Sequence, residues 1–132
     1  RAMTITTIAA LIYTVITAGV IVFQLALAVG APWGEYAMGG AYPGRFPPAL
    51  RAAAVVQAVL LALIAGIVLA RAGLALSGWA AASTWLIWFV VAFAVVATIL
   101  NSITPSARER RIWAPVALVM LACSLTVALT AG

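Results

Sequence analysis

Only nine residues of this 132-residue chain carry a formal charge, and their placement constrains the fold more than any other feature. Arg1, Glu35, Arg45, Arg51, Arg71, Arg108, Glu109, Arg110 and Arg111 leave four uncharged apolar runs, Ile5 to Val29, Ala52 to Ala70, Trp79 to Leu100 and Trp113 to Ala131. A helix crosses a hydrocarbon layer of roughly 30 Å with about 20 apolar residues. The runs hold 25, 19, 22 and 19 residues. In lipid only helices and closed barrels satisfy every backbone N–H and C=O, and continuous runs of Leu, Ala, Val and Ile lack the alternation of a barrel strand. The sequence therefore predicts an all-α fold: one domain, residues 1–132, built as an up-down-up-down bundle of four transmembrane helices.

With 67% hydrophobic residues, little chain remains for a soluble domain. The first run is too long for a signal-peptide core and lacks a small-x-small cleavage site, so it is expected to stay as helix one. Met3 reads as the natural start, and Arg1 is set aside for topology. Seven arginines, no lysine and abundant alanine suggest a GC-rich bacterial genome, hence the bacterial cytoplasmic membrane. The net charge of +5 comes from loop arginines suited to lipid head groups. Basic residues are not interleaved with aromatics on a soluble surface, so nucleic acid is not an expected partner. Membrane lipids, a second copy of the chain or another membrane protein are. Cys123 is the sole cysteine and reads as a small buried hydrophobe.

Loops one and three share a side and carry Arg45, Arg51, Arg108, Arg110 and Arg111, against Arg71 in loop two. Five arginines against one place loops 30–51 and 101–112 in the cytoplasm and both termini outside. Trp33, Tyr36, Tyr42 and Phe46 in loop one are expected at the membrane interface, with glycines and prolines making turns between them. Pro47 and Pro48 suit the first turn of helix two. Asn101 is expected to close helix three. Ser106-x-x-Glu109 has capping-box spacing, with the serine accepting from an N–H three residues on and the glutamate reaching back. Pro115 would bend a helix that continued from there into the fourth span.

Thr6, Tyr13, Thr17 and Gln24 recur at intervals of seven, four and seven and so share one face of helix one, directed into the bundle. Gln24 lies six residues before Gly30 and Gln57 six after Arg51, which predicts equal depth in a helical hairpin. The two amides are expected to join one hydrogen-bond network, worth roughly 0.6 to 2 kcal/mol; the alternative is that they line a ligand cavity. Ala62, Gly66 and Ala70 form a small-residue packing ridge. Trp79 fits an interface anchor, while Trp85 and Trp88 lie deeper, against lipid or neighbouring helices, with a flat apolar ligand as the alternative. Glu35, Arg45, Arg51, Asn101, Arg108, Glu109, Arg110 and Arg111 gather on one side as candidates for ligand binding or interaction. Glu35 is expected to form an ion pair with one of the arginines.

Without histidine, aspartate or a second cysteine, the chain lacks the residues for a metal-ligating cluster, a Ser/His/Asp set or paired-thiol redox chemistry. No catalytic residue, metal or cofactor is implied. Proton-coupled multidrug transporters of this length place a glutamate in the first span, which is missing here. Four-helix quinone-linked disulfide enzymes need a cysteine pair. The segments Pro32-Trp33-Gly34, Gly39-Gly40, Phe46-Pro47-Pro48 with Arg51, and Asn101 followed by Ser106-x-x-Glu109-Arg110 and Trp113-Ala114-Pro115 resemble an uncharacterised group of small four-span membrane proteins of GC-rich bacteria. That resemblance implies the four-helix fold and the cytoplasmic loop motifs and brings no activity with it. The leading reading is a non-catalytic interaction partner, scaffold or accessory subunit. The alternative is a transporter or binder of a small lipophilic or anionic molecule, using the helix-one face and the arginine cluster.

Overall fold

The structure is a computed structural model that describes residues 3–132; Arg1 and Ala2, and with them the Arg1 term of the charge count, lie outside the described residues. Four helices of 24 residues each follow one another: α1 (Ile5–Ala28), α2 (Pro48–Arg71), α3 (Ala80–Ile103) and α4 (Ala107–Thr130). At about 1.5 Å per residue each is about 36 Å long, enough to cross the hydrocarbon and enter both head-group layers. α1 packs on α2 and α4, and α3 on α2 and α4, closing a ring. One end of the ring, here the loop face, carries the long α1–α2 connection and the tight α3–α4 turn. The other, the terminal face, carries both termini and the α2–α3 connection.

Local chemistry sets the helix starts. Thr4 Oγ1 accepts the Thr7 N–H at 3.1 Å, Pro48 occupies the first helical position where its missing N–H is harmless, and Ser106 Oγ accepts the Glu109 N–H at 3.2 Å. Three helices outrun the uncharged segments. α2 begins at Pro48, α3 continues to Ile103, and α4 begins at Ala107 and passes through Pro115. Charge bars a residue from hydrocarbon but not from a helix, so arginines occupy turns that protrude into the head groups. Asn101 therefore does not close α3. It sits in the last turn, its amide donating to Ala97 O at 2.7 Å.

The core is thin. Ala10, Tyr13, Val68, Ile87, Val90 and Val127 form its centre, and a smaller cluster of Leu27, Phe46 and Ala54 lies toward the loop face. Only 17% to 39% of each span is buried, while Val15, Val22, Trp85, Trp88 and Phe89 lie exposed on the outside. An outer surface this apolar belongs in lipid, and the chain is an integral membrane protein. Of the small-residue ridge, Gly66 and Ala70 are buried and Ala62 is exposed. A Cβ at Gly66 would come within 2.9 Å of the Trp79 ring, so this glycine makes room for a tryptophan as well as for a helix.

Loop one folds over the bundle as two short 3-10 turns, Gly34–Tyr36 and Met38–Gly40. It is fastened to α4: Trp113 Nε1 donates to Tyr36 O at 2.8 Å and Ser106 Oγ to Glu35 O at 3.1 Å. Trp33 stacks on Phe23 of α1, with centroids 6.3 Å apart. Of the four aromatics expected at the interface, Trp33 and Tyr42 are exposed, Tyr36 is half-buried, and Phe46 is buried against Leu27 and Ala54. Gly34 closes the loop by donating its N–H to Gly44 O at 2.9 Å, and a Cβ there would collide with the carbonyls of Tyr42 and Gly44. Those obstacles are backbone and cannot swing away. Gly34→Ala should lower stability by about 1 to 3 kcal/mol and expose loop one to protease, whereas Gly19→Ala in α1, whose Cβ meets nothing within 4 Å, should be milder; limited proteolysis and thermal melts in detergent compare the two.

Candidate functional site

Each helix turns one stripe of residues, spaced by three, four or seven, toward a common space. α4 offers Glu109, Trp113, Val116 and Met120; α3 offers Phe93, Ala97 and Asn101; α2 offers Ala54, Gln57 and Leu61; α1 offers Tyr13, Val20 and Gln24. The space is a cavity of about 430 Å³. Small side chains leave it hollow, since Ala53, Ala54, Ala94, Ala97 and Ala117 all face it. Loop one covers its mouth with Tyr36, Ala37 and Met38. Small-molecule sites commonly measure roughly 300 to 1,000 Å³.

The wall is mostly apolar with polar groups along its length. Glu109 and Asn101 lie two residues inside the loop-face ends of their helices, Gln24 four and Gln57 nine. Tyr13, packed with Met120 in the central cluster, marks the inner end. Both glutamines face the interior as expected. The expected bond between them is absent: no hydrogen bond joins Gln24 to Gln57 among the described residues. The cause is the early start of α2, because a five-residue difference in depth staggers the amides by about 7 Å. They line the cavity instead. The Tyr13 hydroxyl is fully buried and has no hydrogen-bond partner, a state that costs about 1 to 3 kcal/mol unless something in the cavity pairs with it. Thr17 is buried but donates to Tyr13 O of its own helix at 2.7 Å, and Thr6 meets Thr130 at 2.6 Å near the terminal face. Neither of these two serves the cavity.

Glu109 departs from its expected role. Ser106 performs its half of the capping box, but the Glu109 carboxylate does not reach back to the Ser106 N–H, which lies 3.4 Å from Thr104 Oγ1. Glu109 Oε2 accepts the Gly39 N–H of loop one at 2.9 Å, and the residue is only 8% exposed. Loop one competes successfully because Gly39, at φ +67°, turns its N–H toward α4. This fastens the cavity's cover to its wall.

Four of the arginines bond to backbone carbonyls at or just beyond helix ends. Arg51 Nε donates to Ala28 O at 2.8 Å and Arg45 Nε to Gly30 O at 2.9 Å, both at the C-terminal end of α1. Arg110 Nη1 donates to Thr104 O at 2.8 Å, just beyond α3, and on the terminal face Arg71 Nη2 donates to Ala131 O at 2.8 Å, just beyond α4. The last carbonyls of a helix have no intrahelical donor and carry partial negative charge. Arg108 pairs with Glu35 at 2.9 Å, the ion pair expected for that acid. Arg111 is exposed, with no hydrogen bond or ion pair among the described residues. None of these arginines lines the cavity.

The cavity stripe on α4 could have been found from sequence, since 109, 113, 116 and 120 follow helical spacing. The sequence reads Glu109 instead as a cap and as one member of the charged cluster on the loop side. Comparison with known proteins finds no matching family model, no similar curated protein and no similar solved structure.

Exposure separates the two kinds of arginine contact. The Glu35–Arg108 pair has side chains 38% and 63% exposed, so Glu35→Gln should cost less than about 1 kcal/mol. Arg51→Met strips the end of α1 of a charged donor and should cost about 1.5 to 3 kcal/mol. Thermal melts in mild detergent should therefore rank Arg51→Met well below Glu35→Gln.

Proposed function

We propose that this protein binds a small, largely apolar molecule inside its membrane bundle. The observation that carries the reading is the 430 Å³ cavity whose wall includes Gln24, Gln57, Asn101, Glu109 and an unpartnered Tyr13 hydroxyl. A bundle serving only as a scaffold gains nothing from a hollow among polar groups, because voids forfeit packing and orphan polar groups cost free energy. Exposed apolar ridges add no weight to a scaffold role, since lipid covers them equally well.

The loop face carries five arginines and the terminal face carries Arg71, which supports a cytoplasmic loop face, termini outside and a ligand entering beside loop one from the cytoplasmic side of a bacterial membrane. Reporter domains fused after Gly132 should be active only outside the cytoplasm; cytoplasmic activity would reverse the orientation.

For binding, the whole chain in phosphatidylcholine nanodiscs should take up neutral diphenylhexatriene in a saturable phase of one molecule per chain, above its partition into protein-free discs. Ala97→Phe fills the hollow from α3. It should abolish that phase and raise the melting temperature; saturable uptake undiminished by the substitution would refute a site within the bundle.

A further inference from the structure

The wall of the cavity carries one formal charge, the carboxylate of Glu109, and no arginine. Glu109 is nearly buried, its single hydrogen-bond donor besides water is the Gly39 N–H, and no arginine forms an ion pair with it among the described residues. Its position in the first turn of α4 supplies N–H dipoles that suit a carboxylate without neutralising it. Trp113 and Tyr36 stand in the same stretch of wall and can present aromatic faces, which attract cations. Toward the other end the wall is mostly apolar, interrupted by the amides of Gln24 and Gln57, as far as Tyr13, buried and unpartnered. Glu109 and Met120, the neighbour of Tyr13 in the core, are eleven residues apart on α4, or about 16 Å along the axis.

On these grounds, and resting on the binding reading above, we infer that the cavity takes a slender monovalent organic cation, an amine or quaternary ammonium at Glu109 with an apolar body reaching toward Tyr13. An anion, the class suggested by the arginines when read from sequence, would have to enter a low-dielectric space against Glu109. The arginines offer it little there. Arg45, Arg51 and Arg110 are bonded to helix-end carbonyls, Arg108 to Glu35, and exposed charges beyond about 10 Å are screened by salt.

Three probes sharing one rod-like body test this in zwitterionic nanodiscs holding the full chain: diphenylhexatriene, its trimethylammonium derivative and its propionate derivative. The trimethylammonium probe should bind about tenfold or more tighter than the neutral one, and the propionate weaker than both. Glu109→Gln keeps an acceptor for the Gly39 N–H while removing the charge. It should bring the cationic probe to within about threefold of the neutral one measured on the same variant. Propionate binding as well as the cation, or a cation preference surviving Glu109→Gln, overturns the inference. Equal saturable binding of all three leaves the cavity as a site and removes its charge selectivity, whereas no saturable binding of any probe removes the binding reading itself. The ranking of the three probes on the unsubstituted chain decides the matter even where the variant fails to fold.

Discussion

Hydrocarbon supplies no hydrogen bonds, so every backbone group in this chain must find a partner within the protein or reach the head groups. Within the helices this is automatic. At their ends it is not, and there the arginines act. Arg51 and Arg45 serve the end of α1, Arg110 the end of α3 and Arg71 the end of α4. Arg51 and Arg71 reach from one helix to the end of another, so a local need of the backbone becomes a tie between helices. These ties matter because the interior is thin and no hydrophobic effect drives helices together in lipid.

With the ends fastened, the middle can stay open. Alanines on facing stripes leave space in the loop half, where larger side chains would otherwise meet. Loop one then covers the opening. It is anchored through Trp113, Ser106 and Glu109 of α4 and Glu35–Arg108, so the cover and one wall form a single hydrogen-bonded unit. Because Glu109 is both a fastening for the cover and the charge of the wall, whatever binds that carboxylate meets the segment that closes the cavity.

Arginine and glutamate illustrate how far residue type alone can mislead. Eight polar and charged residues near one face suggested a shared site, and the structure divides them. Asn101 and Glu109 line the cavity, the bonded arginines serve backbone carbonyls or Glu35, and Glu35 holds the loop. Gln24 and Gln57 were recognisable as inward-facing, since an amide against lipid is costly, but their pairing depended on a helix boundary that the last charged residue did not mark.

The number of spans, the helical class and the unequal division of arginines between faces are legible along the chain, because length, apolarity and charge are one-dimensional quantities and lipid tests them one segment at a time. The capping serine at 106 and the prolines at 47 and 48 were legible for the same reason, being local. Which stripe of each helix faces the centre, how α1 and α2 are staggered, which carbonyl each arginine meets and the turn of Glu109 to Gly39 rather than to its own cap emerge from the packed bundle. Those depend on rotations and offsets between helices. All four helices are apolar nearly all round, so periodicity alone leaves these rotations open, and packing among alanines, Tyr13 and loop one selects them.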